Sequence, residues 1–270
     1  MKYFFFDVDG TLKPYGKAIP YSTKKTIQKL QQKGNKIFLA TGRRKNEIGS
    51  IMKELNIKNA ICAGGGTVII DNKVEMEKYY SEEQLEKILC ECEKNNVIMV
   101  SVGEGRCYTS NKGLYVKIYR FLMKIYSKSR NFKMGSVQGC AGANYTDIKI
   151  MDRYEFLKQH TQKLIFFNTR NIDKIESLKK YKIYDEKIWK TIEFDFKEEG
   201  IEYIRRKYDV NLDNIVVFGD GINDIGMFKY ANNSIAMGNS NDEIKKIASF
   251  TTKRCDKDGI EYACSHFKWI

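Results

Sequence analysis

Short apolar runs recur along the first third of the chain and again along its last quarter, each followed by a stretch with helical spacing. Residues 3–6 (YFFF), 36–40 (KIFLA) and 59–62 (NAIC) read as strands. Between them, residues 22–33 and 44–55 place apolar side chains at helical intervals, with Ser22 the candidate N-cap of the first helix. The rhythm returns as a strand at 215–218 (IVVF), a helix at 222–230, a strand at 234–237 and a helix at 242–248. Strands with no polar face, alternating with helices, predict a parallel sheet covered on both sides.

The middle of the chain breaks this rhythm. Residues 64–80 (GGGTVIIDNKVEMEKYY) read as a hairpin turning at Asp71-Asn72. After it the spacing predicts a helix at 82–94, strand at 97–102, a helix at 114–126, a strand at 146–151 and a strand-helix pair within 163–180. A helix at 198–208 leads back to the parallel pattern. The division is therefore an α/β core built from residues 1–80 and 191–270, with an α+β insertion at 81–190.

Composition narrows the class. With 270 residues, 42% hydrophobic and 30% charged, the chain can bury a sizeable core. No run approaches the ~18 apolar residues of a membrane span, and the aromatic run at the N-terminus meets Asp7 too soon for a secretory leader. Seven cysteines without a CxxC and only two histidines argue against zinc and for a reducing cytoplasm. The net charge of +13 is concentrated in residues 81–190, which hold 21 basic against 13 acidic side chains. Residues 112–133 carry seven basic residues and no acid. On the helix expected there, Lys117, Arg120, Lys124 and Lys128 share one face, opposite Leu114, Ile118, Phe121 and Ile125. That face reads first as a solvated surface and second as a positive lid over anionic substrates. No nucleic-acid-binding motif accompanies the charge, so neither nucleic acid nor membrane is expected as a partner.

The chemistry gathers where the core strands end. The first strand runs into Asp7-Val8-Asp9-Gly10-Thr11, the second into Thr41-Gly42-Arg43, and the IVVF strand into Gly219-Asp220-Gly221-Ile222-Asn223-Asp224. In a parallel sheet these loops share one edge, where ligands bind. An Asp-Gly turn accounts for Asp9 and Gly10 but not for Asp7, a second carboxylate at the mouth of a buried strand. Two such charges ask for a metal, a shared proton, or both. An EF-hand beginning at Asp7 fails, because Leu12 and Ala18 stand where Gly and Glu are required. No P-loop is present, and Gly64-Gly65-Gly66 is not a dinucleotide fingerprint. His160 and His266, in unpromising settings, are expected at the surface.

Taken together, DVDGT, ATGR and GDGIND resemble the haloacid dehalogenase (HAD) superfamily, and AMGNS (236–240) with KDG (257–259) resembles its Cof-type, sugar-phosphatase-like branch. The resemblance implies a Rossmann-like core with an α+β cap inserted after the third core strand. It implies a magnesium-dependent phosphatase of small phosphorylated metabolites, with Asp7 as nucleophile and Asp9 as acid and base. Magnesium would be held by Asp7, the Asp9 carbonyl and Asp220, with Asp224 behind them. Thr41, Gly42, Asn223 and Lys197 would hold the phosphate. Two departures accompany it. Glu198 follows Lys197 where glycine is usual, and Ala63-Gly64-Gly65-Gly66 replaces an Asn-Gly-Ala, so no role passes to Gly64. A hexose-phosphate mutase of the same superfamily is the alternative enzyme, and a basic binding protein on this scaffold the alternative without catalysis.

Overall fold

The aromatic run at the N-terminus forms a strand because both of its faces are buried. Phe4 and Phe6 enter one hydrophobic cluster while Tyr3 and Phe5 enter another, as strand alternation requires. The computed structural model describes residues 1–103, 106–113, 116–117, 148–185, 189–194 and 196–270. Its elements begin with β1 (Tyr3–Phe6), α1 (Tyr21–Gln32), β2 (Lys36–Ala40), α2 (Lys45–Leu55), β3 (Asn59–Cys62), β4 (Thr67–Ile70) and β5 (Lys73–Glu77). Next come α3 (Glu82–Lys94), β6 (Ile98–Val102), β7 (Cys107–Thr109), β8 (Ile148–Ile150) and α4 (Arg153–Leu157). They are followed by β9 (Lys163–Phe167), β10 (Tyr184–Asp185) and β11 (Lys190–Glu193). The chain closes with α5 (Lys197–Lys207), β12 (Ile215–Gly219), α6 (Ile225–Tyr230), β13 (Asn233–Ala236), α7 (Asp242–Ile247), β14 (Phe250–Thr251) and α8 (Gly259–His266).

Two compact units result, Met1–Glu77 with Asp195–Ile270 and, between them in sequence, Lys78–Phe194. In the first unit an eight-stranded sheet runs β14-β13-β12-β1-β2-β3-β4-β5. Every pairing from β14 to β3 is parallel, and β4 and β5 close one edge as an antiparallel hairpin. Asp71 and Asn72 turn that hairpin with positive φ (48° and 63°), the geometry of a two-residue type I′ turn. One face packs α1, α2 and α8 over Phe4, Phe6, Leu39 and Phe218. The other packs α5, α6 and α7 over Phe5, Phe38, Ile61 and Val217.

The second unit is a six-stranded sheet, β10-β11-β9-β6-β7-β8, antiparallel except for β7 with β8. Helix α3 covers one of its faces through Leu85, Ile88, Leu89 and Cys92.

Several sequence expectations need correction. Helix α1 begins after Pro20, and Ser22 lies inside it, where its Oγ donates to Asp258 Oδ1 at 2.6 Å instead of capping. Arg44 is extended and caps α2 instead of joining it. The helix expected after β9 is a pair of 3₁₀ turns, Thr169–Lys174 and Glu176–Leu178. Ile175, extended at φ −88° and ψ 98°, breaks the helix between the two turns, and it is buried with Ile172 and Leu178. The helix expected at 222–230 opens as a 3₁₀ turn, Ile222–Asp224, before α6 begins. Strands β7, β10, β11 and β14 and helices α4 and α8 were not foreseen; most are too short to carry a period. Of the basic helix expected at 114–126, Val116 is buried and Lys117 exposed. Arg120, Lys124, Lys128 and the rest of that stripe lie outside the described residues.

Candidate active site

Parallel pairing carries the three sequence loops to one edge. Phe6 is level with Leu39 on β2 and with Phe218 on β12, so the loops leave the sheet side by side. The pairing runs one residue past β1, since Asp7 N–H donates to the Phe218 carbonyl at 2.9 Å. Asp7 is thus buried by its strand (5% exposed) and has no freedom to swing into water.

A lysine lies against it. Lys197, the first residue of α5, is 1% exposed, and its Nζ donates to Asp7 Oδ1 at 2.8 Å and to Asp224 Oδ1 at 2.7 Å. Residues 64–65 place it there. Phe196 N–H donates to the Gly64 carbonyl at 2.8 Å, and a Cβ on Gly65 (φ +106°) would stand 2.2 Å from the Phe196 carbonyl oxygen. The glycine run that departs from the branch pattern is therefore a backbone-to-backbone contact with the segment that delivers the lysine. The Glu198 carboxylate lies against Gly226 on α6.

Asp224 has both oxygens committed. Oδ1 takes the lysine, and Oδ2 accepts the N–H groups of Asp220 and Gly221, each at 2.9 Å. It folds the loop after β12 onto itself and aims Asp220. Among the described residues the Asp220 carboxylate accepts from neutral donors: Thr11 Oγ1 (3.3 Å), Tyr15 Oη (3.3 Å) and Asn239 Nδ2 (3.2 Å). Gly10, at φ +90°, passes so close that a Cβ there would lie 2.1 Å from Asp220 Oδ2.

The two carboxylates of the DVD stretch part company. Asp9, more exposed, is gripped by Arg43, whose Nε and Nη2 donate to its two oxygens at 2.5 and 2.8 Å. Thr41 is buried; its N–H continues the sheet to Ile61 and its Oγ1 accepts from Arg43 N–H at 3.1 Å. Gly42 is half-buried beside it, and the half-buried Asn223 folds its amide over Gly221. Both histidines are exposed and stack on aromatic rings, His160 on Tyr79 and His266 on Phe250.

Electrostatics explains what the cluster lacks. Asp7, Asp220 and Asp224 bring ligand oxygens within 4.8 Å of one another. Burial above all, then the neighbouring carboxylates, pushes the Asp7 carboxyl well above its ordinary range despite Lys197. Burial and Asp224 push Asp220 up to about 7. Three acids against one ammonium leave a deficit of positive charge in a confined, all-oxygen setting, which a hard dication fits. Asp7 and the lightly held Asp220 are the carboxylates that would take it.

Four contributors have no role in the sequence reading, the first being Thr11, the hydroxyl of DVDGT, which donates to Asp220. Arg43 stands beside Thr41 in the quoted loop, and a guanidinium there was the available signal. Asn239 lies in AMGNS, which was noted without a role. Tyr15 carries no motif, and only the turn of residues 13–17 brings it to Asp220.

The sequence profile of haloacid dehalogenase-like hydrolases matches residues 4–263. YkrA of Bacillus subtilis (strain 168) is 28% identical over 268 residues, covering 97% of this chain and 96% of that one. From the same organism, 5-amino-6-(5-phospho-D-ribitylamino)uracil phosphatase YitU is 24% identical over 94% of this chain and 93% of its own. Among solved structures, the HAD subclass IIB sugar phosphatase BT4131 superposes with a TM-score of 0.73 at 27% identity, covering 100% of both chains. The chain belongs to the haloacid dehalogenase-like hydrolases, in their Cof-type branch, and is an enzyme of the phosphatase kind.

Proposed function

We propose that the protein hydrolyses small-molecule phosphate monoesters, sugar phosphates or similar metabolites, by way of an aspartyl-phosphate on Asp7, with magnesium as cofactor. The observation that carries the reading is Lys197 Nζ seated between Asp7 and Asp224. It occupies one oxygen of Asp7 and leaves the other to attack phosphorus, while its charge favours an incoming phosphate. Magnesium, held by Asp7, Asp220 and the Asp9 carbonyl with Asp224 behind, would neutralise the phosphoryl oxygens and the nucleophile's surroundings.

Asp7 Oδ2 forms the bond to phosphorus as the bond to the leaving oxygen breaks. Asp9 gives its proton to that oxygen, then takes one from the water that attacks the aspartyl-phosphate. For either transfer the Asp9 carboxyl must release at least one of its bonds to Arg43. Thr41, Gly42 and Asn223 supply donors at the phosphoryl end. The substrate class rests on the relatives, since BT4131 is named a sugar phosphatase and YitU a phosphatase of a phosphoribityl compound. The unit Lys78–Phe194 is the proposed cap that selects the leaving group.

The test uses an aryl phosphate, whose good leaving group needs little acid. Asp9→Asn should accumulate phosphate on Asp7, detected by mass spectrometry after acid quench, whereas Asp7→Asn should not. Each proton transfer lost is worth ~10²–10⁴-fold in turnover. Phosphate trapped by Asp7→Asn, or full activity after exhaustive chelation, would contradict the reading. Retention of label from substrate in a rearranged monoester would instead identify a mutase.

A further inference from the structure

Asn239 joins four segments through one amide. Its Nδ2 donates to the Gly10 carbonyl at 2.9 Å and to Asp220 Oδ2 at 3.2 Å, and its Oδ1 accepts from Cys255 N–H at 2.9 Å. The turn that carries it is itself held from both sides. Gly238 N–H donates to the Lys253 carbonyl at 3.0 Å, and Ser240 N–H to the Met237 carbonyl at 3.0 Å. The amide therefore cannot rotate to suit Asp220. Asp220 must suit the amide.

The consequence lies in which Asp220 oxygen is constrained. Of its three donors, Thr11 and Tyr15 are hydroxyls that turn freely about their C–O bonds and stand at 3.3 Å. Asn239 is the shorter contact, and its donor direction is set by an amide plane pinned at its other end. The same NH₂ group holds the Gly10 carbonyl, in the Gly10-Thr11 peptide, one peptide beyond the proposed Asp9 carbonyl ligand. We infer that Asn239 is a positioning residue for the metal: it fixes, relative to each other, the Asp220 carboxylate and the Gly10 carbonyl, which belongs to the residue next to the Asp9 carbonyl. This rests on the metal-dependent reading above. Groups that orient ligands without touching the ion typically change metal affinity ~10–100-fold when removed.

Direct binding of Mn²⁺, followed by loss of its free-ion EPR signal without any substrate, tests it. In Asn239→Ala, or in Asn239→Leu, which refills the volume, the Mn²⁺ dissociation constant should rise ~10–100-fold. The activation constant for Mg²⁺ should rise in step, while KM for an aryl phosphate at saturating Mg²⁺ changes little and the metal-free protein melts lower but still cooperatively, because three hydrogen bonds are lost. Unchanged Mn²⁺ affinity in a folded variant overturns the inference. So does loss of folding in both variants, which would assign Asn239 to the fold alone. Failure of the wild type itself to bind Mn²⁺ would remove the metal reading and this inference with it, and is a separate result.

Discussion

Lys197 shows how much one side chain holds at this site. Its ammonium is the only cation within bonding reach of the buried Asp7 and Asp224 among the described residues. Breaking a buried pair from one side leaves charge without compensation and costs about 3–5 kcal/mol. Lys197→Met should therefore lower metal-free stability in urea by about that much, with magnesium restoring part of it. A loss below about 1 kcal/mol, the scale of a surface pair, would show that water reaches the carboxylates. Thiol chemistry gives a second residue-scale expectation. Burial pushes Cys92 and Cys264 up to about 12 and raises Cys62 further, whereas Cys90 is partly exposed beside Arg153. In a Cys140→Ser background, the native protein should react with a charged disulfide reagent first at Cys90. Modification of Cys62 before unfolding would contradict the burial that accounts for it.

At the scale of elements, the contact between the turn after β3 and the start of α5 governs where Lys197 stands. Gly65→Ala puts a Cβ against the Phe196 carbonyl and forces a side-chain residue to φ +106°. The left-handed conformation alone costs on the order of 1–3 kcal/mol. Catalysis should fall further than stability predicts, because the strain is relieved by moving the segment that delivers the lysine. If stability falls and kcat does not, the contact serves only the fold. Helix α5 also carries an acid-sensitive anchor. Hydrogen bonds from Arg205, Tyr230 and Arg206 hold the Glu202 carboxyl well below its usual range. A depressed carboxylate stabilises above its unfolded value, near ~4.3, and the contribution disappears as pH falls below that value. Glu202→Gln should therefore cost about 0.2–1 kcal/mol at neutral pH and progressively less below pH ~4. An equal loss at both pH values would assign the effect to packing.

For the molecule as a whole, each unit has its own core. The unit formed by Met1–Glu77 and Asp195–Ile270 is buried on both faces of its sheet without any residue of the other. Joined by a short Gly/Ser linker in place of residues 78–194, it should fold and melt cooperatively, and a broad, non-cooperative transition would show that the cores are not independent. The net charge of +13 adds a separate expectation. KM for a dianionic substrate should rise with ionic strength as a field with a Debye length of ~8 Å at physiological salt is screened. A salt-independent KM would leave the basic surface without a part in capture.

Most of the core was legible in the residues because local patterns set it. Four apolar residues buried on both faces can only be an inner strand, and an Asp-Asn pair between alternating runs can only turn a hairpin. The loop residues Asp7, Asp9, Thr41, Asp220 and Asp224 were legible for the same reason: each follows a strand whose end is visible in the hydrophobic pattern, and parallel strands bring such ends together. The rest depended on distance through space. Nothing local says that Asp9 turns from Asp7 to Arg43, that Gly65 must yield to the Phe196 carbonyl, or that Asn239 grips Gly10 across more than two hundred residues of chain. The tertiary structure decided these, because hydrogen bonds and steric contact act over a few ångströms and only the folded sheet makes those residues neighbours.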